Sequence, residues 1–318
     1  MRVLLTGAKG FIGSRLLTCL CEAGHHVRVV TRTVFKCDFE SVEVVHADLT
    51  SADVDYDALL SGCDVVFNCA GEIRDEKLMR SLHVDATELM VLAANRLATR
   101  ERPVHFVQLS SVGAYGPAQG TVRLVDELTI ENPKGPYEET KTIADSLVVK
   151  NRGNEFYSYA ILRPSNVFGK SMSNNSLRQL GRFVSKGKFF YVGNSKKTAI
   201  ATYVHVDDVV AALMLCGFDV RSKCEVFNIS NDCAFSDMIN GIADAQGVAR
   251  PKWSFPEAPL RLMISILNRF FRLPVTQERI DALVARTSYP STKMKRVFGF
   301  KPEREVPIAV AELFEENR

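Results

Sequence analysis

Tyr137 and Lys141 stand four residues apart in GPYEETKTIAD (135–145), where Gly135-Pro136 reads as a turn that opens a helix. Residues at that spacing share a helix face, so the phenol and the ammonium would point the same way. A free phenol titrates near ~10 and is a poor base at neutral pH, but a neighbouring cation favours phenolate. Such a pair can pass a proton to or from a substrate oxygen. Alone, the spacing also describes a surface tyrosine beside a solvated lysine, so other residues must decide. The first of these are the two serines of VQLSSVGAYG (107–116), which end an apolar run. Ser111 thereby lies at the carboxyl end of a strand, where open α/β sheets bind their ligands.

These groups need a scaffold, and the hydrophobic pattern supplies one. Short apolar runs at 2–6, 27–31, 42–46, 64–69 and 104–109 alternate with helical patterns at 11–23, 53–61 and 76–99. Continuously apolar strands between helices imply a parallel sheet covered on both faces. The expected fold is α/β, a Rossmann-like doubly wound parallel sheet with a smaller, discontinuous C-terminal substrate domain. The dinucleotide-binding domain is expected over 1–169 and 203–229, and the substrate-binding domain over 170–202 and 230–318.

The chain of 318 residues is 46% hydrophobic and carries a net charge of +3, with no long basic run, so nucleic acid is not an expected partner. Its first apolar run is too short for a signal segment, and none approaches the ~20 residues of a membrane span. Eight cysteines and six histidines form no metal-like grouping, so no metal is expected. A cytoplasmic location with reduced thiols follows.

TGAKGFIG (6–13) joins the first strand to the first helix. Gly7 permits the tight turn, Gly10 the close approach of a pyrophosphate, and Gly13 the packing of helix on strand. Phe11 and Ile12, on the first helical turn, are candidates for cofactor contact as well as for helix core. The second strand ends in Thr31-Arg32, where an NAD-preferring fold usually places an acidic residue for the ribose hydroxyls. A guanidinium there pairs with a 2′-phosphate, so NADP is favoured over NAD. Arg32 is the principal candidate, and Arg15 is a second. Asp48 and Leu49 follow the third strand; Asp48 is placed to accept from an adenine amino group or to cap a helix. FNCAG (67–71) ends the fourth strand in small residues, with Ala70 expected against the cofactor.

Together, TGxxGxxG at 6–13, the serine pair before AYG, and YxxxK at 137–141 resemble the extended short-chain dehydrogenase/reductase superfamily. The similarity is strongest to its nucleotide-sugar epimerase/dehydratase/reductase group, and LRPSNVFG (162–169), YVHVDD (203–208) and STKMKRVFGFKP (291–302) extend it over the whole chain. The resemblance implies that Tyr137 is the general acid/base, that Lys141 lowers its pKa and holds the nicotinamide ribose, and that Ser111 binds the substrate oxygen. It also implies Asn166 in the sugar pocket and Asn175 at the nucleotide phosphates.

Departures from the family pattern narrow the activity. Val112-Gly113 replace the Asp-Glu pair of sugar dehydratases, which argues against dehydration. His83 stands where the family commonly has asparagine. Ala201-Thr202 replace a diphosphate-binding arginine, with Lys196 and Lys197 nearby. The expected activity is keto-sugar reduction on a nucleotide-sugar by a homodimer. A 4-epimerase with tightly held NAD, and a non-catalytic NADP-binding sensor or scaffold, are the alternatives. PLRLMISILNRFFRL (259–273) mixes apolar and basic residues, and the expectation is a lid or core helix rather than membrane contact. Arg279 and Arg286, seven apart, are expected on one helix face.

Overall fold

The computed structural model describes residues 1–151, 153–172, 174–270 and 277–315. Seven strands form the central sheet: β1 (Arg2–Thr6), β2 (His26–Thr31), β3 (Val42–His46), β4 (Val65–Asn68), β5 (Val104–Leu109), β6 (Tyr157–Pro164) and β7 (Glu225–Ile229). Their spatial order is β7-β6-β5-β4-β1-β2-β3, and every neighbouring pair is parallel. The order reverses between β1 and β4, and ligands of open α/β sheets bind at the carboxyl edge of such a switch point.

The helices α1 (Phe11–Glu22), α2 (Tyr56–Leu60), α3 (Ala86–Leu97), α4 (Pro136–Lys150) and α6 (Val206–Phe218) cover its two faces, while α5 (Ser176–Ser185), α7 (Phe235–Ala245), α8 (Glu257–Phe270) and α9 (Gln277–Val284) pack in clusters away from the sheet. Alternate strand residues feed two cores. Leu5, Phe67 and Phe227 pack under α1 and α6 with Leu16, Leu20, Val209 and Leu213. Leu4, Val66, Phe106 and Ile161 pack with Leu60, Met90 and Val148 from α2, α3 and α4. Each such side chain contributes about 1.5–3 kcal/mol when fully buried.

A third core gathers Phe168, Leu177, Tyr191, Phe235, Ile239 and Val310. The YVHVDD segment ties the C-terminal residues to α6. Asp208 accepts from the backbone amides of Glu303 and Arg304 at 2.9 and 3.2 Å, and His205 Nε2 meets Glu312 at 2.9 Å.

Two sequence expectations change. The pattern at 76–99 is not one helix: a short α-turn (Glu76–Met79) runs into a π-helical turn (Arg80–Asp85) before α3. One extra residue per turn shifts the side chains of that segment, a feature common at functional sites. Arg286 does not share a helix with Arg279. α9 stops at Val284, because the next carbonyls accept strand-like bonds, Ile200 N to Ala285 O at 2.8 Å and Arg123 N to Arg286 O at 3.3 Å. Residues 271–273 of the 259–273 stretch lie outside the described residues.

Candidate active site

The carboxyl ends of β1 and β4 meet backbone to backbone. Gly7 has φ +72°, and a Cβ there would lie 2.6 Å from the Cys69 carbonyl. A Cβ on Gly13 would lie 2.1 Å from the Gly7 oxygen, while Gly10 donates its amide to that oxygen at 2.9 Å. Only glycine fits at Gly7 and Gly13, and the start of α1 is left open towards the crevice. Thr6 Oγ1 accepts from the Ala70 amide at 3.0 Å and donates to Asn68 at 2.8 Å, fixing the loop after β4.

A cleft of about 330 Å³ opens over this junction, lined by Gly7, Lys9 and Gly10, by Thr31 and Arg32, by Asp48 and Leu49, and by Ala70. Its backbone amides and helix start suit a pyrophosphate, so the residues present fit a dinucleotide. Gly13 acts from behind the turn. Phe11 and Ile12 pack against the first core, and Phe11 also reaches the third.

Around Arg32, Thr31 spends its hydroxyl on the backbone of Thr33, with Oγ1 to Thr33 O at 3.2 Å. Asp48 accepts from the Thr50 amide at 3.0 Å and the Thr50 hydroxyl at 2.8 Å. The Thr50 amide first, then its hydroxyl and Arg32, hold this carboxyl below its ordinary range against the opposing effect of burial. Arg15 is turned away from the cleft and forms an ion pair with Asp207. Lys9, whose spacing in the glycine motif carries no signal of its own, donates to Thr33 Oγ1 at 2.6 Å and to Val34 O at 3.3 Å. Two cations therefore border the end of β2.

The catalytic candidates lie just beyond β5 and on α4. Ser111 ends the segment after β5 and caps a 3-10 turn (Val112–Tyr115), accepting the Gly113 amide on its Oγ at 3.0 Å. That turn packs against α4, and a Cβ on Gly113 would meet Glu138 Cγ at 2.6 Å. The absent side chain at Gly113 is thus what lets the Tyr137 turn approach Ser111. Tyr137 sits in the first turn of α4, where the helix dipole also favours negative charge. Contrary to the lowering expected from Lys141, burial first, then Glu138 and Asp145, push its phenol up to about 12. Lys141 is buried; burial lowers its pKa, while Asp145 and Cys69 act to keep it charged.

Asp145, one turn further along α4, accepts from Ser110 Oγ at 2.7 Å and from Arg163 Nε at 2.9 Å. Arg163 also pairs with Glu131, so a chain of alternating charge stands behind Lys141. Ser110 is accounted for as a support.

His83, in the π-helical turn, joins two of these parts. Its Nε2 accepts from the Glu72 amide at 2.9 Å, which leaves the ring proton on Nδ1, 2.9 Å from Thr140 Oγ1. Thr140 in turn donates to Pro136 O at 2.7 Å. The imidazole also stands edge-on to the Tyr137 ring, with centroids 5.6 Å apart at 85°. Burial, with Lys141 adding, lowers its pKa to about 3, so it stays neutral. The loop after β4 and the Tyr137 turn of α4 are thereby held by one side chain.

The substrate-side candidates are more loosely held. Asn166 is exposed and donates to Thr202 O at 3.0 Å. Asn175 sits at the cap of α5 without a side-chain capping bond, whereas Asn174 accepts from the Ser176 amide at 2.8 Å. Ala201 is buried, and Lys196 stands over the Tyr191 ring at 5.7 Å. Among the described residues no His, Cys, Asp and Glu group suits a metal, and no helix is long and apolar enough to cross a membrane.

The profile of the NAD dependent epimerase/dehydratase family matches residues 3–230. A 3 beta-hydroxysteroid dehydrogenase/Delta 5-4 isomerase of Mycobacterium tuberculosis is 30% identical over 222 residues, 64% of this chain and 57% of that protein. The chain thus spans little more than half the length of that relative. The N-acetyl-alpha-D-glucosaminyl-diphospho-ditrans,octacis-undecaprenol 4-epimerase of Escherichia coli O157:H7 is 25% identical over 304 residues, 92% of this chain and 88% of that protein. Among solved structures, MoeE5 in complex with UDP-glucose and NAD superposes with a TM-score of 0.74 at 23% identity, covering 100% of this chain and 98% of that one.

Proposed function

The chain belongs to the NAD dependent epimerase/dehydratase family, and from that premise we propose that it is a keto-sugar reductase that uses NADPH. The observation that carries this reading is the end of β2, where Arg32 and Lys9 border the cleft and no carboxylate takes the place of Thr31. Two cations favour a 2′-phosphate, and a cofactor that must be exchanged at each turnover suits a reductase.

When bound, the nicotinamide supplies hydride. The protein supplies the rest. Ser111 hydrogen-bonds the substrate carbonyl oxygen and stabilises charge there as it develops. Tyr137, its phenol raised to about 12, carries a proton at neutral pH and delivers it to that oxygen. Lys141 stabilises the phenolate left behind and holds the ribose, with Asp145 fixing its charge. His83 keeps the Tyr137 turn at a set distance from the cofactor loop.

We assign the substrate to the diphosphate-linked sugars. MoeE5 binds UDP-glucose and the Escherichia coli relative acts on an undecaprenol-borne sugar, which supports this class. With Ala201 in place of an arginine, Lys196, Lys197 and the start of α5 at Asn175 are the groups left to meet the diphosphate, and Asn166 faces the sugar. Exposed Leu89 and Leu92 on α3 and Ile143 on α4 support a homodimer through these two helices.

Epimerisation is the second reading, favoured by the similarity to that 4-epimerase over most of both chains. It needs the same Ser111, Tyr137 and Lys141 with a retained NAD. Releasing the cofactor from purified protein separates the two: tightly held NAD overturns the reductase, and freely exchanged NADPH supports it.

A further inference from the structure

One surface of the molecule is apolar where solvent should be. Trp253 is 82% exposed, Leu262 63%, Ile266 52%, Met263 45%, Phe255 42% and Phe190 40%. These residues form one region. Tyr191 donates its amide to Trp253 O at 2.9 Å, Gly193 donates to Phe255 O at 2.8 Å, and the rings of Phe190 and Phe255 lie 6.0 Å apart. Two residues beyond Phe255, α8 begins.

α8 is apolar on opposite sides. Leu260 and Ile264 turn inward onto Val192 and Ile280, while Leu262, Met263 and Ile266 form the outward stripe. Its rotation is fixed. Arg261, on the flank, reaches Glu257 at 2.9 Å and Asp281 at 2.7 Å, so the outward stripe cannot simply roll into the core.

Lys186, Lys188 and Lys252 are exposed in the chain segments that carry Phe190 and Trp253, and none forms an ion pair among the described residues. Exposed apolar patches rimmed by polar groups mark interaction sites. Unpaired lysines beside an aromatic-rich face fit an anionic interface, where aromatic rings settle at headgroup level. A second copy of this chain fits less well, because a two-fold contact would bring two copies of the same lysine-bearing patch together.

We propose that residues 188–190, 252–255 and the outward face of α8 dock on an anionic phospholipid surface. The partner is the bilayer interface itself, entered by side chains and not by a spanning helix. The proposal deepens the functional reading only by placing the enzyme where lipid-borne sugars reside; the docking itself does not depend on the reaction.

Trp253 is the only tryptophan in the chain, so its emission reports this surface alone. The experiment uses the full chain with vesicles of phosphatidylglycerol and phosphatidylcholine, or phosphatidylcholine alone. The anionic vesicles should shift the emission to the blue and co-sediment the protein. Each lysine near the surface contributes about five-fold to partitioning, so the double variant Lys188→Glu with Lys252→Glu should weaken binding more than ten-fold. Leu262→Ser with Ile266→Ser should weaken it as well. All four positions are exposed, and unchanged NADPH affinity certifies the fold.

Unshifted emission without co-sedimentation on either vesicle overturns the proposal. So does a blue shift that follows protein concentration in vesicle-free buffer, which would assign the face to self-association. Neither result touches the reductase reading, which is tested by cofactor exchange.

Discussion

Replacing His83 by phenylalanine keeps a ring edge against Tyr137 and removes both hydrogen bonds of the imidazole. The Glu72 amide loses its acceptor in a partly buried place, at a cost of about 1–3 kcal/mol, and the bond to Thr140 contributes about 1 kcal/mol more. A total of about 2–4 kcal/mol lies within the ~5–15 kcal/mol that holds a native protein together, so the variant should fold with a lower Tm. The loop after β4 and the turn bearing Tyr137 then lose their common anchor. A misplacement of ~1 Å can cost ~10²-fold in rate, so kcat should fall about 10- to 100-fold with a smaller change in substrate KM. His83→Asn keeps a donor and an acceptor on a shorter arm and should fall between.

Acid denaturation provides a second signature. His83 is neutral in the fold with its pKa lowered to about 3, whereas in the unfolded chain it titrates near ~6.5. Between those values the unfolded chain binds more protons, so the contribution is full above ~6.5 and is lost as pH falls towards 3. His83→Phe should therefore show a shallower loss of stability in that range. Steady-state reduction with saturating NADPH, and urea melts at pH 7 and pH 5, read both effects. Wild-type kcat and wild-type acid slope in His83→Phe would refute the reasoning.

Tyr137→Phe should cut turnover by roughly 10²–10⁴ with cofactor affinity nearly unchanged, while Lys141→Met should damage both; near-normal turnover in the first removes Tyr137 from the mechanism. With the phenol raised to about 12, the reduction rate should stay level through neutrality while the oxidation rate climbs with pH, as initial rates in each direction will tell. Calorimetric titration should find NADPH bound about ten- to a hundred-fold more tightly than NADH, and Arg32→Asp should reverse the order. Leu89→Glu with Leu92→Glu should convert a dimer to monomer in light scattering, and an unchanged mass would move the interface away from α3.

The first five strands of the central sheet were legible because each is a short apolar run, whereas β7, with Glu225 and Asn228 inside it, was not read as a strand; TGAKGFIG announced its own turn. Ser111, Tyr137 and Lys141 could be paired on paper because the strand end and helix spacing that carry them are local signals. What escaped the sequence depends on contacts between distant segments. The π-helical turn at 80–85 has no periodicity of its own inside a 24-residue amphipathic pattern, so His83 showed only as a departure from asparagine. Lys9 looked like the free residue between two glycines until the fold brought Thr33 against it. Arg15 read as a phosphate candidate because Asp207 is 192 residues away. The outward face of α8 was half visible: its apolar residues could be counted, but which of them face inward is decided by Val192 and Ile280.

The contact between Gly13 and the Gly7 carbonyl, where even a methyl group would lie 2.1 Å away, bears on how the cofactor stabilises the enzyme. The turn is held by backbone already in place, so little chain needs ordering when a dinucleotide arrives. Ligand binding then adds to the free energy of unfolding as RT ln(1 + [L]/Kd), about 2.7 kcal/mol at a hundred times Kd, with no separate ordering step to subtract. A melting titration against cofactor should rise with the logarithm of concentration once past Kd, and its onset should read the dissociation constant directly.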